Sequence, residues 1–260
     1  QIARARRHRA LEGTLVGMLA AFATMQGNED EAERRFAEAI RVDVEAGNEP
    51  RAALDRSNFA LLLTEVGRID EADEHLVQAL ELFVAWRNTR GAATAHGTLA
   101  MLRARQGRLA EAQEHAAESA RRYRGAGYTR LADTSEQNVG LLEWAQRGAA
   151  AALPRLRATV QAFDALGDAG MLQMAQTYLA AAAATVGARD EAAQAMAAAV
   201  AVGGTEPNPR VDGLIEVARG FVALGAGDRE AAVAARDRGL ASPLYGVRFL
   251  ADLLRTELGR

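Results

Sequence analysis

A phrase that returns every 40 residues constrains this chain more than any other feature. It begins at Gly27 (GNEDEAERRF), Gly67 (GRIDEADEHL), Gly107 (GRLAEAQEHA), Arg147 (RGAAAALPRL), Gly187 (GARDEAAQAM) and Gly227 (GDREAAVAAR). Five residues after each anchor stands an alanine: Ala32, Ala72, Ala112, Ala152, Ala192 and Ala232. Seven residues before each stands Ala20, Ala60, Ala100, Gly140, Ala180 or Gly220. Two positions per repeat therefore hold only alanine or glycine, and the same register orders the glycine turns. This is the pattern of two helices joined by a turn and crossing closest at the small residues, where a larger side chain would push them apart. The anchor glycine accepts the left-handed backbone that ends a helix. Asp30, Asp70 and Asp190 are expected to cap the helix that follows. Glu31, Glu71, Glu111 and Glu191 then fall in its first turn, where negative charge is favoured. Phe36, Leu76, Leu156 and Met196, one turn past the small alanine, fill the apolar stripe.

Alanine dominates the apolar residues, only five prolines occur, and no stretch alternates apolar and polar residues for long. Alanine is the strongest helix former, and the missing alternation argues against a sheet. The expected fold is all-α: a right-handed α-solenoid of six helix–turn–helix repeats in a single domain over residues 1–260. The repeats fall at about 11–48, 49–88, 89–128, 129–168, 169–208 and 209–242, with an amphipathic capping helix over 244–258. Pro154 is placed near a helix start, where a missing N–H costs little. Gly203 to Pro209 (GGTEPNP) reads as a looser joint across which the register continues. The basic opening, Gln1 to Arg9, reads as the tail of a preceding helix or a linker, and the first residue, Gln rather than Met, suggests a piece of something longer.

Several function classes are set aside by composition. Formal net charge is −3, against the basic excess of nucleic-acid binders. There is no cysteine, hence no disulfide or thiolate metal site, and every basic chain is arginine or histidine, which removes a Schiff-base or phosphate-loop lysine. No apolar run is long enough to span a membrane and no signal-peptide pattern opens the chain, so a cytoplasmic location is expected. His8, His75, His96 and His115 form no metal-binding motif. His75 and His115 occupy equivalent places in adjacent repeats, near enough in principle to share an ion, but they read better as two solvated side chains. Glu29, Asp30, Glu31 and Glu33 read as a charged helix start. Ser57, Ser119, Ser135 and Ser242 sit in no nucleophile elbow. No catalytic residue, metal or cofactor is expected.

The pairing of Leu19-Ala20 with Ala32 and Phe36 resembles the tetratricopeptide repeat. So does that of Phe59-Ala60 with Ala72, Leu76 and Ala79, and of Leu179-Ala180 with Ala192, Met196 and Ala199. The resemblance covers most of the chain. It departs from the family in its longer period, and in lacking the first-helix tryptophan and the closing proline. Repeats of this length resemble the sensor arrays of large bacterial signalling proteins. The resemblance implies that the first helix of each repeat lines a concave groove.

One inward position then carries Met18, Asn58, Thr98, Asn138 and Tyr178, and its family equivalent is often an asparagine that grips a peptide backbone. Met101, Arg105, Gln137 and Trp144 stand beside it; Leu61, Leu141 and Phe221 read better as core, and Trp144 suits either place. The function so implied is non-catalytic recognition, as sensor or scaffold of a bacterial signalling or transcription-regulatory protein. The expected partner is a protein, a peptide or a small-molecule effector in the groove. An array that self-associates as a homodimer is the alternative, and an enzyme with dispersed acidic residues is a third, weaker one.

Overall fold

In a computed structural model, which describes residues 2–26, 28–202, 208–242 and 244–259, the described residues form thirteen α-helices and no strand. Gly27, one of the repeat anchors, and most of the 203–209 stretch lie outside the described residues. The chain divides into two compact units, Gln1–Ala132 and Asp133–Arg260, with the boundary in the first turn of α7. The first unit holds α1 (Ile2–Met25), α2 (Glu29–Ala46), α3 (Glu49–Glu65), α4 (Ile69–Ala85), α5 (Thr89–Arg105) and α6 (Leu109–Gly125). The second holds most of α7 (Thr129–Arg147), then α8 (Ala149–Ala165), α9 (Ala169–Thr185), α10 (Arg189–Val202), α11 (Pro209–Gly225), α12 (Arg229–Leu240) and α13 (Tyr245–Leu258). The basic opening is thus the start of α1, not a linker.

The period has a simple origin. Helices α3, α4, α5, α6, α8 and α9 are each 17 residues long, and three-residue turns separate α3, α4, α5 and α6. Two such helices and two such turns make one period. Left-handed residues end the helices at Gly47, Gly67, Gly107, Gly127, Gly148, Gly167, Gly187 and Gly227. The spacing is therefore close to 20 residues, because both the turn within a hairpin and the turn between hairpins need one. Arg87, at φ 51°, fills such a place without being glycine. In the fourth repeat Gly148, not Arg147, makes the turn, and α7 runs to 19 residues.

The small-residue register marks the helix crossings as expected: Ala20, Ala60, Ala180 and Ala32, Ala72, Ala112, Ala152, Ala232 have no exposed surface. A Cβ on Gly220 would stand 2.7 Å from both Ala235 Cβ and Leu254 Cδ2, so nothing larger fits there without a shift. Around the crossings, Phe36 and Phe59 stack at 5.7 Å in the first unit, and Leu63, Leu76, Leu99 and Leu102 close the core about them. In the second unit Leu156, Leu214, Phe221, Leu250 and Leu254 share one core. α13 packs on α11 and α12 and covers them, as a capping helix should.

Two local expectations need correction. Asp30, Asp70 and Asp190 do not cap; they lie inside the first turns of α2, α4 and α10. The side-chain caps are Asn28, Asn88, Asp168, Asn208 and Asp228, each accepting a hydrogen bond from the N–H three residues on. Pro154 is the sixth residue of α8, beyond the N–H groups a helix start leaves free. It removes one backbone hydrogen bond there.

Candidate functional site

Helices α3 and α5 lie side by side in the first unit and present matching stripes. On α3 the stripe is Leu54, Asn58 and Leu61, spaced by four and three residues, with both leucines about two-fifths exposed at 42% and 41%. On α5 it is Thr94, Thr98 and Met101, the residues 40 further on, followed one turn later by Arg105; Thr98, Met101 and Arg105 are half-buried. Leu61, expected in the core, is instead part of this surface.

The polar groups on this surface differ in how far they are committed. Asn58 is half-buried, and among the described residues nothing hydrogen-bonds its side-chain amide. Thr98 spends its hydroxyl on the Thr94 carbonyl at 3.2 Å. Arg105 donates from Nη1 to the carbonyl of Thr64 in the last turn of α3, which fixes the guanidinium at the edge of the stripe. The arrangement offers an apolar strip with one uncommitted amide and one positioned cation. An amide both donates and accepts, so it can pair with a peptide group in either sense.

In the second unit the same register is used differently. Asn138 is exposed on α7. Gln137, Trp144 and Tyr178 are buried, and the Trp144 ring packs on Phe221 at 5.1 Å. Gln137 Oε1 and Trp144 Nε1 have no hydrogen-bond partner among the described residues. Tyr178 is covered by the start of α13; a Cβ at Gly246 would lie 3.7 Å from its hydroxyl. The sequence position that is a surface in α3 and α5 is therefore core in α9. Of the eight expected groove residues, Asn58, Thr98, Met101 and Arg105 come together on one surface, and Asn138 is exposed separately.

The histidines do not pair as equivalent positions. His75 packs on Phe59, ring centroids 4.8 Å apart, and faces Arg56 at 3.5 Å. His115 instead shares a hydrogen bond with His96, Nδ1 to Nδ1 at 2.9 Å, so one ring must donate and the other accept. Burial holds both below the ordinary histidine range, His96 at about 4, with the neighbouring imidazole adding to the effect on His96. Among the described residues no group of three or more histidine, aspartate or glutamate side chains is placed to hold a metal. The outer face of α4 gathers Asp70, Asp73, Glu74 and Glu81 around a shallow depression, a solvated acidic surface.

Sequence reasoning missed a buried acid pair. Asp43 on α2 and Asp55 on α3 have no exposed surface and lie close enough to interact, and Asp43 Oδ2 has no hydrogen-bond partner among the described residues. Asp55 accepts from Arg51 Nε at 3.0 Å and Nη2 at 2.9 Å; Asp43 Oδ1 accepts from Asn48 Nδ2 at 2.8 Å. Gly13 and Gly17 of α1 close the cluster, since a Cβ on either would come within 2.6 Å of these carboxylates. Burial pushes both carboxyls up, Asp55 to about 6 against the pull of Arg51. The charge of Asp43 adds to the rise at Asp55, so the two titrations are coupled. Sealed from solvent, this pair meets no substrate. The repeat register held a clue: positions 95, 135 and 175, equivalent to Asp55, carry alanine, serine and alanine, and all are buried.

Residues 11–85 match the family model described as tetratricopeptide repeat. That stretch is a tetratricopeptide repeat segment, and solved repeat proteins show the same fold across the rest. No curated protein sequence matches the chain. Aspartyl phosphate phosphatase F from Bacillus subtilis superposes with a TM-score of 0.75 at 16% identity, over 90% of this chain and 61% of that one. A Rap protein complexed with competence and sporulation factor gives 0.69 at 15% identity, over 92% and 65%. A signal transduction ATPase with a tetratricopeptide repeat sensor, from Pyrococcus horikoshii, gives 0.72 at 11% identity, over 96% and 39%. This chain thus spans under two thirds of the length of each of these proteins. At such identities the likeness is one of fold, a fold used generally as a non-catalytic interaction scaffold, although one of these proteins is named a phosphatase.

Proposed function

We propose that the chain is a non-catalytic recognition module, the sensor or scaffold part of a larger bacterial signalling protein, working in the cytoplasm. It takes an extended peptide or partner segment against the α3–α5 surface. The uncommitted amide of Asn58, set between two exposed leucines, is the observation that carries this reading. An amide that water can still reach can exchange its water for a bound peptide group, with a modest net gain. Thr98 and Met101 extend the contact, with Arg105 held at its edge. Gln137, Trp144 and Tyr178 support the second unit's core in this reading. Two of the similar folds fit it, one by a title naming a complex with a sporulation factor and the other by a title naming a sensor.

The test is retention of partners from lysate of the encoding bacterium by the chain and by its Asn58→Ala and Asn58→Ala/Asn138→Ala variants. Loss of the amide's hydrogen bonds should weaken binding about tenfold. A partner held by the parent chain and lost from a variant of unchanged helicity is the expected result. Retention indifferent to both variants would remove the surface from consideration.

A further inference from the structure

We propose that the edge formed by the α4–α5 and α6–α7 turns, carrying Trp86, Arg87, Arg90 and Tyr128, is a docking site for an acidic peptide segment of a partner protein. Trp86 is 56% exposed and Tyr128 40%. Arg87 and Arg90 are exposed as well. The two turns meet here, since the Arg90 guanidinium lies over the Tyr128 ring, 5.4 Å from its centroid. Glu49 accepts from the Trp86 indole N–H at 3.0 Å, which holds that ring without covering it. Tyr128 stands edge-on against the buried ring of Tyr123. Exposed rings that are already held lose little freedom on binding, and tryptophan, tyrosine and arginine are the side chains that dominate interfaces.

The repeat register shows how far this edge departs from its equivalents. The other turns between hairpins place Ala46, Ala126 and Leu166 where Trp86 stands. They place Gly47, Gly127 and Gly167, all left-handed, where Arg87 stands at φ 51°. Where Tyr128 stands, they place Asn48, Asn88 and Asp168, residues of the capping type. At each place a small or locally better residue has given way to an aromatic ring or a cation on the same edge. Charge then defines the partner. Many arginines of the chain hold carboxylates, as Arg51, Arg68, Arg103, Arg155 and Arg157 do. Among the described residues neither Arg87 nor Arg90 has a carboxylate partner. No acidic residue occurs from position 82 to 110 or from 119 to 132. Two uncompensated guanidinium groups beside two exposed rings suit a segment that alternates carboxylates with apolar side chains. A nucleic-acid backbone suits the chain less, because its net charge as a whole is −3. The edge adjoins the α3–α5 stripe, with Thr94 one turn from Arg90, but it stands on different residues.

Calorimetric titration at low ionic strength with a peptide alternating glutamate and leucine tests the edge. The parent chain should bind it, with an affinity that falls as salt is added. Trp86 emission should shift on binding; Trp144, the other tryptophan, is buried at 2% exposure in the second unit and should not respond. Trp86→Ala should raise the dissociation constant about tenfold, and Arg87→Gly about fivefold. Both install the residue type that equivalent turns carry, so circular dichroism should show unchanged helicity. Arg87→Gly should melt no lower than the parent, because its backbone suits glycine. Arg34→Ala, which removes an exposed arginine from α2, should leave binding unchanged, as should Asn58→Ala on the α3–α5 stripe. The edge and the stripe can therefore fail separately. No binding by the parent, equal binding of a peptide alternating lysine and leucine, an affinity indifferent to both edge variants, or equal loss with Arg34→Ala or Asn58→Ala would overturn the proposal. Tighter binding of oligothymidylate than of the acidic peptide would overturn it in favour of a nucleic-acid surface.

Discussion

Asp43→Asn should stabilise the protein at neutral pH. In the parent chain both buried carboxyls are pushed up, Asp55 from 3.8 to about 6. A carboxyl whose folded pKa exceeds its unfolded value favours folding while it is protonated. Its contribution is complete below the unfolded pKa and is lost as pH rises through the folded one. For Asp55 that displacement is worth roughly 3 kcal/mol, forfeited between about pH 4 and pH 7. An asparagine at 43 keeps an oxygen for the Asn48 Nδ2 and turns an N–H toward Asp55, which Arg51 still holds in a two-point ion pair. Burial, the largest cause of the rise at Asp55, remains, but the like charge is gone, so Asp55 ionises at lower pH and part of the forfeited stability is restored. The expected gain is about 1 kcal/mol at pH 7.5 and close to none at pH 4.5. For a chain of this size, that is a rise in Tm of about 2–4 °C at pH 7.5.

Thermal and urea unfolding of the parent and the variant, at steps across this range, measure it. The comparison must be made as a difference between the two proteins. His75, His96 and His115 are held below the ordinary histidine range, so their contribution is present above about 6.5 and is lost as pH falls. They pull against the carboxyl pair over part of the same interval, and they cancel in the difference. A variant no more stable than the parent at pH 7.5, or a difference that does not vary with pH, would refute the reasoning.

The histidine pair gives a prediction of opposite sign. His96→Gln retains a side chain able to pair with His115 but removes one protonation that folding resists, so the loss of Tm between pH 7.5 and pH 5 should be smaller than in the parent. Arg87→Gly should raise stability by about 0.5–1 kcal/mol in urea unfolding, because the left-handed backbone at φ 51° suits glycine and strains any other residue.

The fold was legible because its constraint is steric and repeats. A crossing that admits only a methyl group or a hydrogen leaves the same mark at Ala32, Ala72 and Ala112, and period and helix count follow from it. The caps were less legible. Asn28 and Asp30 are both capping residue types two positions apart, and only the backbone decides which of them precedes the helix. The recognition surface was half legible. Asn58, Thr98, Met101 and Arg105 share a stripe because α3 and α5 expose the same face. Tyr178, in the same register, is buried under the first turn of α13, an element outside the repeat. The Asp43–Asp55 pair depends on Gly13 and Gly17 in a third helix, a contact that no local pattern encodes.

The left-handed turns near every twentieth residue give the length of this chain a grain. Each residue gained inside a helix rotates everything beyond it by about 100°, carrying the apolar stripe off its neighbour. Forty residues gained or lost between equivalent turns bring each small residue back opposite its partner. Inheritance can therefore edit such a protein in large steps more safely than in small ones. Duplication of a whole hairpin leaves the seams intact, while a one-residue insertion in α3 or α5 would displace both the core and the surface that faces a ligand.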